Sequence, residues 1–446
     1  MFTQSKKNKH NHFQQRSVTM MDIKIYNANQ IGGNFTVFST SKGKVMFDYG
    51  LALPGAKESQ EDFDWEHDTV VAVFITHYHG DHAGKLLDIP KNIPIYMGTT
   101  ARQIMLNVHE ELVRAPGCRK EQERWIKLLN SNRIKEVQEA KPINVIEGIT
   151  VTPYSVDHSA YDAYMYLIEG DGEVALHTGD FRGHGYRGGK MLEVIKYYVH
   201  KNGRKVDYLV CEGTMMGVRQ NEHVKTEYEV YKEAKDLFRD NKYVFLVVSS
   251  TNFDSIVSFY RAARDNKMYT YCYSRYLYKQ LRTFSRAAGK KSPRYKFKDV
   301  YTVNFQKQLS HELWDENKTQ EEVMRDHGFL CIIKAEEKYS EWIERFKDKN
   351  PMVIYSMWDG YLQEKRQGEK NLAYNKEWAK FFQPYERKGQ LKKIHTSGHA
   401  TGKMLADVIN AVNPKKGIYP MHTENADGFR ALEIGEELKA LIKVAG

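Results

Sequence analysis

The stretch Thr76-His77-Tyr78-His79-Gly80-Asp81-His82-Ala83-Gly84 places four metal-ligating side chains within six residues. Imidazole and carboxylate together suit zinc or a similar divalent ion. His77 and His79 are two apart, so in extended chain they point the same way. Asp81 and His82 follow Gly80, which permits a sharp turn, and can reach the far side of a small cavity. That arrangement suits two adjacent metals better than one. A polar loop with chance histidines is the bland alternative, since the chain has 17 of them in 446 residues. Against it stands the preceding run, Val70-Val71-Ala72-Val73-Phe74-Ile75, which is apolar, mostly β-branched, and reads as a buried strand. Residues 83–87 read as the start of a helix. The ligands are therefore expected on a loop between a strand's C-terminal end and a helix.

Other strand-like runs end in polar residues too. Residues 45–47 lead to Asp48, a turn cap or a group that orients a ligand loop from behind. Residues 149–154 lead to Asp157-His158. Residues 164–168 and 174–177 read as a hairpin around Gly170-Asp171-Gly172, whose second strand runs into Thr178-Gly179-Asp180. Residues 206–211 end in Glu212-Gly213-Thr214. One such residue would mean little; several suggest convergence on one sheet edge. Residues 23–26, 31–34, 35–38 and 93–97 also look strand-like, and 100–113 and 120–130 helical.

From about Gly217 strands alternate with helices. Residues 243–248, 330–334 and 352–355 read as strands, and 253–264 and 337–346 as helices, which is the pattern of a parallel α/β unit. The polar, basic stretch 285–325 shows no clear pattern. Residues 391–394 then lead to His395-Thr396-Ser397-Gly398-His399. A helix over 403–412 follows, and a strand entering Pro420-Met421-His422-Thr423-Glu424.

The length allows two or three domains. The 67 Lys and Arg against 57 Asp and Glu leave a net charge of +10, which tilts toward an anionic partner, nucleic acid first, although a generally basic surface explains the charge about as well. Cys118, Cys211, Cys272 and Cys331 lack CxxC spacing, so neither a disulfide framework nor a cysteine zinc site is expected. No apolar run is long enough to span a membrane. Residues 1–21 read as a disordered basic tail without a signal-peptide core, and a cytoplasmic location is expected.

These motifs resemble those of metallo-β-lactamase-fold hydrolases, and among them the β-CASP nucleases, the family of bacterial ribonuclease J. Asp48, the cluster from His77 to His82, His158 and Asp180 follow the order shared by many metallo-hydrolases. Glu212, His399 in Ser-Gly-His-Ala and His422 in Pro-Met-His-Thr-Glu match the more specific β-CASP motifs. The resemblance implies an α/β protein: an αββα sandwich from residues 22–212 and 391–446, with a β-CASP cap, 213–390, inserted between them. It implies two zinc ions, with manganese or another divalent ion as the alternative. His77, His79 and His158 would hold one, Asp81, His82 and His422 the other, and Asp180 would bridge them, with Asp48 behind the ligands. A metal-activated hydroxide would attack phosphorus in line. Asp81, Glu212 and His399 are the implied catalytic residues, with His399, hydrogen-bonded to Glu212, protonating the leaving oxygen. His395, Ser397 and His399 would cradle a phosphate, although a turn with local hydrogen bonds explains His395 and Ser397 nearly as well. Ser249, Ser250 and Asn252 either bind a phosphate or cap a helix.

The expected substrate is single-stranded RNA, cut by an exonuclease acting from the 5′ end, with internal cleavage as a second mode. DNA is the variant, and a small phosphoester, thioester or lactone is the rival, favoured by a closed apolar pocket. Three departures from the family stand out. Asp254-Ser255 follows Phe253 where the family usually carries a basic residue. Ser356-Met357-Trp358-Asp359-Gly360 replaces a small-residue loop. The chain ends soon after His422, without the C-terminal domain that helps ribonuclease J to dimerise, so the oligomeric state is left open.

Overall fold

Strand propensity and alternation build three six-stranded sheets in the computed structural model, which describes residues 20–53, 61–217, 223–289, 292–305, 318–366 and 368–444. The first sheet runs Asp22–Tyr26, Phe35–Thr40, Gly43–Phe47, Ala72–Phe74, Ile95–Gly98, Ile134–Val137. The second runs Gly417–Met421, Tyr208–Glu212, Glu173–His177, Ala163–Gly170, Ile149–Val156, Ile143–Ile146. Their inner faces share one apolar layer that includes Phe38, Phe47, Phe74, Val151, Tyr166, Ile168 and Val210. Phe47 lies at its centre, with ring centroids 5.4 Å from Phe74 and 5.3 Å from Tyr166. Truncating such a ring costs about 3–5 kcal/mol.

Helices cover both outer faces. Thr99–Leu112 and Arg119–Leu129 pack Ile104, Trp125 and Leu129 against Val73 and Ile95 of the first sheet. Gly402–Val412 packs Leu405 and Ile409 against Leu176 and Leu209 of the second. The result is the four-layer αββα sandwich expected of this fold class.

The third sheet is wholly parallel, in the order Val300–Thr302, Tyr269–Cys272, Phe329–Ile333, Tyr243–Val248, Met352–Ser356, Leu391–Lys393. Its last strand pairs with Met352–Ser356. The chain therefore leaves this sheet only after Lys393, three residues beyond the expected end of the cap. The third unit rests on the sandwich through a polar ladder. Asn107 Nδ2 donates to Gln280 Oε1 (2.9 Å) and Thr283 Oγ1 (3.1 Å), and Tyr78 Oη donates to Thr251 O (2.9 Å).

Several local expectations need correction. The helix after the histidine cluster is Gly80–Ala83, not 83–87, so Asp81 and His82 lie on it. Its last bond is Gly84 N to Gly80 O, and a Cβ at Gly84 would clash with Gly80 O and Leu51. Residues 31–34 form a loop rather than a strand. In the unassigned stretch 285–325 lie the end of the helix Arg275–Ala288, the short strand Val300–Thr302 and the helix Gln320–His327; residues 290–291 and 306–317 are outside the described residues. The N-terminal tail falls outside them as well, except that Met21 is buried and its N–H donates to Glu173, so it belongs to the fold. All four cysteines are free. No described helix is long and apolar enough to cross a membrane.

Candidate metal centre

The strands Gly43–Phe47, Ala72–Phe74, Ile149–Val156, Glu173–His177, Tyr208–Glu212 and Gly417–Met421 end along one edge of the sandwich. Asp48, the cluster 77–82, His158, Asp180, Glu212 and His422 come at or just after those ends. Pairing in register brings side chains from distant parts of the chain to one place. Asp48 and His422 both have left-handed backbone, with φ of 62° and 53°, a conformation that costs a non-glycine residue roughly 1–3 kcal/mol. The neighbouring chain passes close by. A Cβ on Gly50 would lie 1.8 Å from Asp81 O, so only glycine lets these two segments touch.

Donor atoms converge in two adjoining groups. His77 Nε2 and His158 Nε2 lie 3.1 and 3.3 Å from His79 Nδ1. His422 Nε2 and His82 Nε2 lie 3.2 and 3.8 Å from Asp81 Oδ2. Asp180 Oδ2 sits between the groups, 3.2 Å from His82 Nε2 and 4.0 Å from both His77 Nε2 and His422 Nε2. His77, His82, His158, Asp180 and His422 are each about 1% exposed.

Four of the imidazoles are also held from behind. His82 Nδ1 lies 2.8 Å from Asp48 Oδ2, and His158 Nδ1 lies 2.7 Å from Gly398 O. His422 Nδ1 lies 2.8 Å from Thr214 Oγ1, and His77 Nδ1 lies 3.1 Å from Thr76 Oγ1. Each contact occupies one ring nitrogen and leaves Nε2 for the shared space. Metal-ligating histidines are characteristically oriented this way. Asp48 also accepts from Thr76 N at 2.7 Å and Thr76 Oγ1 at 2.8 Å. Only the Asp48 contact was expected from the sequence. Thr214 sits in the Glu-Gly-Thr run, two residues past Glu212, but nothing in its type pointed to His422.

The donor set fits a divalent cation. His82 Nε2 and Asp180 Oδ1 are buried without a hydrogen-bond partner. Buried polar atoms are rarely left so in a folded protein. Burial, then the neighbouring imidazoles, hold His77 well below the usual histidine range. Burial likewise lowers His79, to about 4. Both are thus neutral at ordinary pH, the form in which an imidazole can ligate a metal. His82 is pulled the other way: burial opposes its charge, but Asp180, Asp48 and Asp81 outweigh it. A cation among those carboxylates would take the place of that proton.

His399 stands at the mouth of the site, 24% exposed. Its Nδ1 lies 3.6 Å from both Glu212 Oε2 and Asp180 Oδ2. At that distance the contact with Glu212 is electrostatic rather than a good hydrogen bond. Glu212 spends its hydrogen bonds on Ala400 N (3.0 Å) and Thr214 N (2.9 Å), and so fixes the loop that carries His399. Burial lowers the His399 pKa, but Glu212 and Asp180 outweigh it and raise the value above the ordinary one. His158, Asp180 and His399 also lie close enough to form a ligand cluster of their own. Ser397 Oγ accepts from His399 N at 3.1 Å, which is the local turn weighed against phosphate binding. His395 is partly buried beside it. Asn252 caps the helix Phe253–Asp265, and Ser249 Oγ lies 3.0 Å from Thr251 Oγ1.

Asp254, one of the departures from the family pattern, has a structural explanation. It accepts from Arg182 Nη2 at 2.8 Å and from Tyr295 Oη at 3.0 Å. Arg182 and Asp157 are buried beside the candidate ligands Asp180 and His158, and their pairing with distant parts of the chain leaves no trace in local pattern.

Comparison with known proteins agrees with this geometry. Residues 49–221 match the Beta-lactamase superfamily domain, and residues 384–442 match the Zn-dependent metallo-hydrolase RNA specificity domain. Ribonuclease J of Helicobacter pylori is 29% identical over 163 residues, 34% of this chain and 22% of that protein. Endoribonuclease YSH1 of Mycosarcoma maydis is 27% identical over 164 residues, 34% of this chain and 18% of that protein. The chain thus spans about a fifth of the length of these curated relatives. A crystal structure of a protein of unknown function from Enterococcus faecalis V583 shares the fold, with a TM-score of 0.64 at 15% identity, covering 92% of this chain and 95% of that one.

Proposed function

The chain belongs to the metallo-β-lactamase-fold hydrolases of the β-CASP type, and we propose that it is a two-zinc ribonuclease that cleaves single-stranded RNA. The observation that carries the reading is the pairing of the seven-donor centre with His399, the exposed imidazole backed by Glu212. His77, His79 and His158 would hold one ion and Asp81, His82 and His422 the other, with Asp180 between them; manganese is the alternative metal. When bound, such ions polarise a phosphodiester oxygen and acidify water.

The chain's own residues do the rest. Asp48, Thr76, Thr214 and Gly398 O keep the imidazoles turned inward. His399 presents its exposed edge to the substrate and hands a proton to the leaving ribose oxygen. Glu212 and Asp180 favour the protonated imidazole before transfer. His395 and Ser397 line the approach to that proton donor and suit a phosphate at its edge.

The charge balance favours a long anionic substrate over a small ester. Lys and Arg outnumber Asp and Glu by 67 to 57 across the chain, a balance that suits a polyanion.

The expected mode is exonucleolytic from a 5′-monophosphate, with internal cleavage secondary. The test uses one RNA labelled at a 5′-monophosphate or a 5′-hydroxyl, beside DNA of matched sequence. Early labelled mononucleotide from the monophosphate form is expected. Labelled fragments of intermediate length, at equal rates for both ends, would replace the exonuclease with an endonuclease. Turnover of a small ester alone would replace RNA as the substrate.

A further inference from the structure

Arg182 follows Asp180 by two residues and is fully buried. Its guanidinium hydrogen-bonds three separate parts of the chain and also lies 3.7 Å from Asp157 Oδ2. Nη2 donates to Asp254 Oδ2 at 2.8 Å, and Nη1 to Glu227 Oε1 at 3.2 Å. Both carboxylates belong to the first turns of third-unit helices, Phe253–Asp265 and Glu227–Asp240. Nη1 also donates to Ser397 O at 3.1 Å, and His184 Nε2 lies 2.7 Å from that same oxygen. Arg182 N in turn donates to Asp157 O at 2.7 Å, which ties the base of the side chain to the strand end that carries His158.

An ion pair that merely joined two units would need only Glu227 and Asp254. The bond to Ser397 O goes further. Ser397 O and Gly398 O are the two carbonyls immediately before His399; the first is held by Arg182 and His184, the second lies 2.7 Å from His158 Nδ1. The rigid planar fork of arginine can serve carboxylates and a carbonyl at once, which the single ammonium of lysine cannot. The carboxylates are themselves fixed: Ser255 and Ser258 donate to Glu227, and Tyr295 to Asp254. Asp157 Oδ2 lies 3.7 Å from Nε on the sandwich side, but the two hydrogen bonds that aim the Nη atoms toward Ser397 O come from the seated helices of the third unit.

We propose that Arg182 is a positioning residue that couples seating of the third unit to placement of His399. The inference rests on the reading of His399 as proton donor. With the helices seated, Glu227 and Asp254 hold the guanidinium, which holds Ser397 O and so the loop ahead of His399. With them displaced, the loop loses that anchor while the ligands from the sandwich stay in place. Proton donation is thereby tied to a closed substrate cleft.

The test compares Arg182→Lys, Glu227→Gln and Asp254→Asn with the parent, all loaded with zinc. Glu227 and Asp254 touch neither the ligands nor His399, so they serve if Arg182→Lys folds poorly. Two substrates separate positioning from general damage. The ribose oxygen leaving an RNA needs a proton; the nitrophenolate leaving bis(p-nitrophenyl) phosphate does not. The expected result is a fall in kcat on RNA of about tenfold or more, with turnover of the nitrophenyl ester within about twofold of the parent and unchanged zinc content. Equal falls on both substrates, or no fall on RNA, would overturn the proposal. Amide hydrogen exchange gives an arm that needs no activity. Residues 397–400 should exchange about tenfold faster in Glu227→Gln, while the helix Gly402–Val412 stays protected. Unchanged exchange in the loop would also overturn it. A parent that hydrolyses neither substrate would instead remove the phosphodiesterase reading, and the exchange arm would still decide the anchoring.

Discussion

Asp48 Oδ2 stands 2.8 Å from His82 Nδ1, and the same carboxylate takes both the N–H and the hydroxyl of Thr76. One buried acid thus orients His82 and closes the turn that leads to His77. In Asp48→Asn the amide brings a donor where three donors already point, so one contact is lost. Zinc affinity should fall about 10–100-fold. Competition against a chromophoric chelator measures it, and parental affinity would remove Asp48 from the support of the site.

Two groups of donors around Asp180 imply two ions per chain. Elemental analysis of zinc-reconstituted protein should find about two, and Asp180→Ala should lose both metal and activity. A parent that saturates at one ion would show that the second group does not bind.

His399 separates proton transfer from metal binding. His399→Ala should keep its metal and lose on the order of 10²–10⁴ in RNA cleavage rate. Because His158, Asp180 and His399 also cluster, metal content is the deciding measurement. Loss of an ion in this variant would make His399 a ligand.

Much of this centre was legible in the sequence because its donors cluster in short motifs at strand ends. The hairpin Ala163–Gly170 with Glu173–His177 was readable for a similar reason. Asp171 and Gly172 supply the positive φ values, 53° and 78°, that a two-residue turn demands. Long-range placement was not legible. The partners of Arg182 lie at 227, 254 and 397, and periodicity carries no record of such pairings. The helix Arg275–Ala288 went unread up to Ser285 although Leu277, Leu281 and Phe284 share its buried face. Its signal is local: Ser274 caps it, and the apolar residues recur at i, i+4 and i+7 within a run otherwise dense in Tyr, Arg and Lys.

Gly50 gives a test of how closely the ligand turn must pack. Gly50→Ala would force its methyl group onto Asp81 O. Urea unfolding in the presence of chelator should show a loss of at least about 2 kcal/mol, and metal affinity should fall with it. Unchanged stability would mean that the two segments can part without cost.

Binding should depend steeply on salt if RNA phosphates meet the basic surface implied by the net charge of +10. A plot of log affinity against log salt should be linear, with a slope near −0.7 for each phosphate neutralised on a single strand. Fluorescence anisotropy on a metal-free sample measures it without cleavage. A flat plot would point to a substrate held by apolar contacts instead.

The pairing of Gly417–Met421 with Tyr208–Glu212 has a consequence for the order of assembly on the ribosome. His422 meets Asp81 across 341 positions of chain. A nascent polypeptide that has emerged only as far as the third sheet already carries His77, His79, His158 and Asp180, but it lacks both His422 and His399. The final strand must then dock beside one made more than two hundred residues earlier, a non-local step of the slow kind. If His422 and His399 serve the centre as proposed, hydrolytic competence is withheld until translation has passed them, and a product terminated early within the third sheet emerges disarmed.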